Sequence, residues 1–536
     1  MTLLAGFLDV LLRGLGLIAL SAAVGGVTYA LVVLRAGSTR PAVGRETVGR
    51  EALGRVGGLV ALGALLLALS RAVVLFALHP WVLADADGRW PVVDFVVTEF
   101  GRASLVGIAL ALALAVVAAR LRRRPTGRVA WMAAAAIAVL VLANSAWLAH
   151  AVSRLEGRGP LMLATVFHQA GAVIWMGGLM HLARSWRAPL PPEALARFSL
   201  LGMAGVILVV GPGLALAWGY VGSLTALIGT GYGVMVLTKV ALLAVVLLLG
   251  GLNFLLVRRW TRAARNPSPV PRLRPFIEAE VGIGITILLA AASLTSLPPA
   301  VDVVTDRATP AEVAARFVPK LPRLVSPPVE QLLAAAAPID DTLSKRQPEE
   351  YAWSEYNHHA AGLFVFAMGV LALLERTGRA RWARHWPLLL LGLAAFMFVR
   401  NDPRAWPLGP AGFWESMVLP DVLQHRLVVL VVVALGLFEW LVRIGTLARP
   451  RWRLVFPLLC AVGGAMLLTH SHAMFNLKNE FLAEVSHAPM GVLGVLMGWG
   501  RWLELRLPAE DRALPGWVWS TAFCLIGAIL LVYRET

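Results

Sequence analysis

The sequence predicts an all-α membrane protein, a polytopic bundle of about fourteen transmembrane helices. Its 536 residues are 58% hydrophobic and only 15% charged, whereas about 25% of the residues are charged in an average soluble protein. Apolar runs long enough to cross a bilayer, each of about 18 residues or more, recur along the whole chain. Arginines are concentrated in every second loop between these runs, the pattern that orients helices in a membrane.

We predict eight helices in the first half of the chain and six in the second. Those of the first half cover residues 7–34, 52–78, 92–120, 129–150, 160–183, 198–220, 232–257 and 276–298. Those of the second half cover residues 357–375, 385–400, 421–443, 453–472, 483–503 and 514–533. Each is an apolar run that ends where charged residues, glycine or proline begin.

Arginine clusters follow the odd-numbered helices up to the eleventh. They lie in the segments 35–55, 120–128, 184–197, 258–274, 376–384 and 443–453. Since loops rich in Lys and Arg stay in the cytoplasm, this alternation predicts a multi-pass protein of the bacterial inner membrane with both termini in the periplasm. The net charge of +17 is thereby explained by contact with membrane lipid, and no nucleic-acid partner is expected.

A long connection at residues 299–356 divides the chain into two predicted membrane domains, 1–298 and 357–536. The connection is rich in proline, carries charges of both signs and falls on the predicted periplasmic side. Short amphipathic segments at 310–318 and 328–337 are candidates for interfacial helices. The sequence is compatible with two roles for this connection, a plain linker and a functional segment.

The residue types present exclude several kinds of function. Cys460 and Cys524, the only two cysteines, lie inside apolar helices and cannot supply a thiolate cluster, so any metal site must use histidine, methionine or carboxylate ligands. The sequence contains no nucleotide-binding loop, no phosphorylatable aspartate motif and no nucleophile constellation. We therefore expect a protein that is not an enzyme.

Histidines are unevenly distributed between the two predicted faces of the membrane. Only two of the eleven, His181 and His385, lie at the arginine-rich side. The others are His79, His150, His168, His358, His359, His425, His470, His472 and His487. Because imidazole is the commonest metal ligand and also binds haem iron, this asymmetry predicts a metal-binding region that faces the periplasm.

Three stretches of the first half share the order and spacing of a known family's motifs. The first is His150-Ala-Val with the helix that follows it, which contains His168 and Trp175-Met-Gly177-Gly178. The second is the glycine-rich segment Gly229–Gly233, with Lys239 and Asn253 after it. The third is the segment from Glu280 to Pro299. Glu99–Arg102 is a weaker fourth match. Residues 7–300 thereby resemble the CopD family of bacterial inner-membrane copper-resistance proteins, and residues 350–536 match no family that we recognise.

This resemblance implies copper passage into the cytoplasm, often beside a periplasmic copper-binding partner of the CopC type. Within it, His150 and His168 form a candidate ligand pair, with Met162 as a soft ligand suited to Cu(I). An interhelical hydrogen bond is the alternative role for the two imidazoles. Glu280, near a cytoplasmic helix end, is expected to form a structural pair.

The second half supplies further candidate ligands at the same predicted end of its helices. They are His358, His359, His425, His470, His472 and His487. Six imidazoles at one end of four helices exceed what packing requires, although at least two of them are expected to be ordinary solvated residues at helix ends. One site shared by the two halves and two separate sites are both open.

The sequence thus predicts an inner-membrane protein that takes copper, as Cu(I) or Cu(II), at the periplasmic face and imports it or hands it on. One alternative is a membrane cytochrome, in which paired histidines would hold haem b for electron transfer. Another is a factor that loads copper into a periplasmic enzyme and transports none.

Overall fold

The computed structural model describes residues 2–34, 45–83, 90–154, 156–185, 191–262, 268–335, 347–400, 402–418, 420–469 and 478–535. Every regular element among these residues is helical, which confirms the predicted all-α fold. Thirteen of the described helices are long and apolar enough to cross a membrane.

The long helices follow the predicted order, and we number them α1 to α14. The first eight are α1 (Ala5–Leu34), α2 (Gly49–Val82), α3 (Glu99–Arg123), α4 (Arg128–Leu148), α5 (Arg158–Ser185), α6 (Pro192–Tyr220), α7 (Gly231–Arg262) and α8 (Val270–Leu294). The others are α9 (Pro348–Arg376), α10 (Arg381–Arg400), α11 (Pro420–Ile444), α12 (Val455–Leu467), α13 (Lys478–Arg506) and α14 (Ala513–Leu531). The predicted span 453–472 corresponds to α12, which is too short to count among the thirteen.

The described residues form two compact units. The first comprises the chain up to Arg307 together with Thr469 and Lys478, and the second comprises 308–468 and 479–535. Within the first unit, α1 and α5 approach closely because Gly25 and Gly177 face each other, and a Cβ on either residue would meet the backbone of the other helix. Small residues allow such contacts between membrane helices.

The second unit is built around aromatic side chains and glycine contacts. Trp386, Phe456 and Phe523 meet edge to face in its core, a favourable arrangement for aromatic rings. The backbones of α9 and α14 pack closely, because a Cβ at Gly362 or Gly369 would meet the backbone of α14.

Part of the predicted connection packs against the second unit. Short helices cover Pro310–Arg316 and Val329–Ala335. Between them, the Lys320 backbone N–H donates to the Val532 carbonyl over 3.1 Å, and its ammonium donates to both carboxylate oxygens of buried Glu355 at 2.6 and 2.7 Å. These contacts hold this part of the connection against α9 and the end of α14.

Two helices of the second unit begin earlier than the sequence predicts. Helix α9 begins at Pro348, where Gln347 and Glu350 form a capping box. The first turns of the helix are polar, and this capping makes them helical. Helix α13 begins at Lys478. His358 therefore lies about 15 Å along α9 at the standard rise per residue. Within α13, a turn at Val485 and Ser486 separates the short helix Lys478–Glu484 from the helix that His487 opens, as the sequence predicts.

Candidate metal-binding histidines

The second unit brings together His358 of α9 and His487 of α13. Their ring centroids are 5.9 Å apart and their planes are inclined by 55°. They lie 129 positions apart in the chain, so only the packing of α9 against its neighbours places them side by side. Both rings are partly buried, which keeps them accessible to a small ion.

In the neutral form of each ring, a backbone hydrogen bond determines which nitrogen carries the hydrogen. Nδ1 of His358 lies 2.8 Å from the Ser354 carbonyl oxygen, and Nδ1 of His487 lies 3.2 Å from the Glu484 carbonyl oxygen. Because a carbonyl oxygen only accepts, each Nδ1 carries the hydrogen and each Nε2 carries the lone pair. Metal-binding histidines in proteins are oriented in this way, through a hydrogen bond from the ring nitrogen that does not hold the metal.

Tyr533 holds the two rings in place. It stacks on His358 with 4.1 Å between ring centroids and lies 6.4 Å from the His487 centroid. Its hydroxyl donates to the Ala483 carbonyl over 2.7 Å, in the turn that precedes His487. The stacking and the hydrogen bond together restrict the ring orientations on both α9 and α13.

The separation of the rings suits one metal ion between them. With a metal–nitrogen bond of about 2.0–2.1 Å, a metal lies about 3.2 Å from each ring centre, so two rings on opposite sides of it are up to about 6.4 Å apart. The observed centroid distance of 5.9 Å lies within this limit. Two nitrogen ligands with few others are compatible with Cu(I).

His359, the next residue on α9, is engaged at both ring nitrogens. The Arg323 backbone N–H donates to its Nδ1, and its Nε2–H donates to the Tyr533 carbonyl, each over 2.7 Å. The side chain is fully buried. His359 could bind a metal only after both hydrogen bonds had broken, so its present role is to attach α9 to two neighbouring segments.

The structure describes only one of the remaining candidates of the second half. His425 is an exposed residue near the start of α11. His470 and His472 lie outside the described residues. Among the residues that the structure describes, no three or more His, Cys, Asp and Glu side chains are arranged to hold a metal ion.

In the first unit, His150 and His168 bond to carbonyl groups of two different helices. His150 Nε2 donates to the Leu294 carbonyl at the end of α8 over 2.9 Å, and His168 Nδ1 donates to the Val209 carbonyl of α6 over 2.8 Å. Both bonds match the interhelical role that the sequence leaves open. Each still leaves a lone pair on the opposite ring nitrogen.

The sequence around Val209 explains how His168 reaches this carbonyl. Pro212 lies inside α6 and has no backbone N–H, so the carbonyl of Leu208, the residue before Val209, lacks its usual helical donor. A Cβ at Gly213 would lie 3.1 Å from the His168 ring, and the glycine therefore provides the space for the imidazole. Met162, the third predicted ligand, is half-buried near the start of α5.

A further polar cluster in the first unit was not predicted. Asp9 of α1 accepts a hydrogen bond from Arg13 Nε over 2.6 Å and lies 3.2 Å from His79 Nε2. The His79 ring stacks on Phe100. The signal in the sequence is the aspartate inside the first apolar run, because an ionised group in a membrane helix needs partners.

Comparison with known proteins finds similarity to copper-related membrane proteins over part of the chain. Residues 192–294 match the family described as Copper resistance protein D. The chain is also 31% identical over 194 residues to copper transport protein CutJ of Bacillus subtilis, an alignment that covers 35% of this chain and 34% of that protein. The chain thus spans about a third of the length of this curated relative. No solved structure matches.

Proposed function

We propose that this bacterial inner-membrane protein, a member of the CopD family, takes up copper at its predicted periplasmic face and passes it on without catalysing a reaction. The family match supports a copper-related membrane function. The pair formed by His358 and His487 carries the rest of the proposal, because it places imidazole rings from two helices with their centroids 5.9 Å apart, within the limit for one shared ion. We assign the first binding step to this pair.

The surroundings of the pair favour a single ion over haem. A porphyrin held between two imidazoles extends several Å in every direction around the line that joins them. Tyr533 contacts both rings, at 4.1 and 6.4 Å between centroids, and therefore stands beside this line. A copper ion would lie between the two rings and needs no space beside the line that joins them. A visible spectrum of the purified protein tests this choice, since a Soret band would favour the cytochrome alternative.

The first unit is the proposed route of the ion after capture. His168 and His150 each retain one ring nitrogen with a lone pair, and Met162 lies near the start of the helix that carries His168. These three residues are the sites proposed for onward binding. The name of the relative, copper transport protein, supports transport over simple storage, and a periplasmic chaperone of the CopC type is the proposed donor.

Copper titration of purified variants tests the capture site. We expect His358→Ala and His487→Ala each to weaken copper binding at least about tenfold. Each removes a proposed ligand, and even the loss of a residue that only hydrogen-bonds to a ligand typically lowers metal affinity about tenfold or more. His385→Ala is the matched control, because this imidazole accepts a hydrogen bond from Trp440 Nε1 at the arginine-rich end of the same unit. Unchanged copper affinity in both test variants would refute the assignment.

Cellular copper distinguishes import from delivery to another protein. Cells that express the wild type should accumulate more copper than cells without the gene, and His487→Ala should abolish the difference. If the two kinds of cell contain equal amounts of copper, and a periplasmic copper enzyme is inactive in the cells without the gene, the protein is instead a copper-loading factor.

A further inference from the structure

A cavity of about 440 Å³ lies among α5, α6, α7 and α8 of the first unit. This volume is typical of sites for small organic molecules. Its walls are almost entirely apolar, and Trp175, Phe198 and Phe254 supply aromatic surface. Met203, Ile207 and Leu247 also line it and are exposed, so the cavity opens on the outer surface of the unit between α6 and α7.

One wall of this cavity carries a buried polar pair. Glu280 of α8 is 2% exposed and Asn253 of α7 is 9% exposed. The Asn253 amide nitrogen donates to Glu280 Oε1, while the Asn253 amide oxygen is buried without a hydrogen-bond partner. Glu280 thus forms the expected pair, but the carboxylate and amide oxygens of the pair can accept more hydrogen bonds than the Asn253 amide group donates.

The second carboxylate oxygen faces open space. A Cβ at Gly250 would lie 3.5 Å from Glu280 Oε2, so the volume that this glycine leaves vacant lies beside that oxygen. None of the described residues that line the cavity is a lysine, arginine or histidine. A carboxylate in such surroundings lacks a cation, which makes its charged form costly unless a ligand supplies one.

We propose that this cavity binds an amphiphilic amine, with its ammonium group at Glu280 and its apolar body against Trp175 and Phe198. An ammonium offers several N–H donors, matching the carboxylate oxygen and the unpartnered amide oxygen, and charge-assisted bonds of this kind are the stronger ones. Glu280 lies about 15 Å along α8 from its first residue at the standard rise. This inference does not depend on copper binding.

Binding of tritiated nonylamine to the full-length protein in detergent micelles tests the proposal. The wild type should bind it saturably, and nonanol, which has the same chain and no charge, should compete at least about tenfold less well. Glu280→Gln should remove this preference. Glu278→Gln is the matched control, since Glu278 lies on the same helix and pairs with Arg274 over 3.0 Å outside the cavity.

A second variant keeps the carboxylate and removes the space. Gly202 is a buried lining residue, and a Cβ there would meet no atom within 4 Å. Gly202→Leu should therefore place its side chain in the cavity and abolish nonylamine binding. Binding that survives both Glu280→Gln and Gly202→Leu, or equal competition by amine and alcohol, would overturn the proposal.

The source of the ammonium group is decided in the same assay. Displacement of nonylamine by added phosphatidylethanolamine would support the ammonium site and assign it to a lipid headgroup. Absence of displacement, with nonylamine still bound, would support a free amphiphilic amine, which the depth of Glu280 along α8 favours.

Discussion

Tyr533 stacks on His358 with 4.1 Å between ring centroids and 24° between the ring planes. Its hydroxyl bonds to the Ala483 carbonyl at the same time, so one side chain near the end of the chain orients a ring on α9 and contacts the turn before His487. The relationship makes Tyr533 a positioning residue for the proposed copper site.

Removal of the Tyr533 hydroxyl should weaken copper binding moderately. Tyr533→Phe keeps the stacked ring and loses only the bond to Ala483, so we expect a reduction of up to about tenfold in copper affinity. Tyr533→Ala should reduce it further. Copper titration checks this order, and equal affinities in Tyr533→Phe and Tyr533→Ala would show that stacking has no part in positioning.

Substitution of His359 should affect stability and not the copper content. The buried ring satisfies the Arg323 amide and the Tyr533 carbonyl, and loss of it leaves both groups unsatisfied at a cost of about 1–3 kcal/mol each. We therefore expect His359→Ala to have a lower thermal midpoint than the wild type while it still binds one equivalent of copper. Complete loss of copper in a folded His359→Ala protein would make His359 a ligand.

The charge cluster at the arginine-rich end should be essential for the stability of the second unit. Glu504 accepts hydrogen bonds from Arg376 and Arg501 and from the Trp519 indole, and it thereby joins α9, α13 and α14. Glu504→Gln leaves two arginines without their carboxylate, which we expect to cost about 3 kcal/mol. The thermal midpoint in detergent should fall clearly, whereas exposed Glu510→Gln should change it little. Equal midpoints would contradict this role.

The close contact between α1 and α5 should not tolerate a larger residue. A Cβ at Gly177 would meet the Ser21 carbonyl oxygen and the Gly25 backbone, so Gly177→Val should force the helices apart and reduce the yield of folded protein. Gly159 lies on the same helix, and a Cβ there would meet nothing within 4 Å. Gly159→Val is therefore the control, and size-exclusion profiles that are equal for both variants would be the contrary result.

The helices could be predicted from the sequence because a membrane span depends mainly on apolar length, which is a local property. The polar ends of the helices could not be predicted in this way. The first turns of α9 are helical because of its capping box, so His358 lies within the span although the sequence predicts it at the helix start. His487 does open a helix, as predicted, after a short helical segment at Lys478–Glu484.

The pairing of the histidines depends on contacts that the sequence does not display. His358 and His359 are adjacent in the chain, yet successive residues of a helix point about 100° apart. One ring therefore meets Tyr533 and His487, while the other meets the backbone of Arg323. The asymmetry between the two ends of the helices indicated that metal ligands should be sought, but only the packing of α9, α13 and the end of α14 distinguishes the proposed ligands from a structural imidazole.

X-ray absorption spectroscopy of the copper-loaded protein tests the proposed capture site most directly. The structure predicts imidazole scattering from nitrogen ligands at about 2.0 Å in the wild type, and its loss in the double variant His358→Ala/His487→Ala. An imidazole signal of the same size in a folded, copper-loaded double variant would contradict the assignment of copper capture to these two residues.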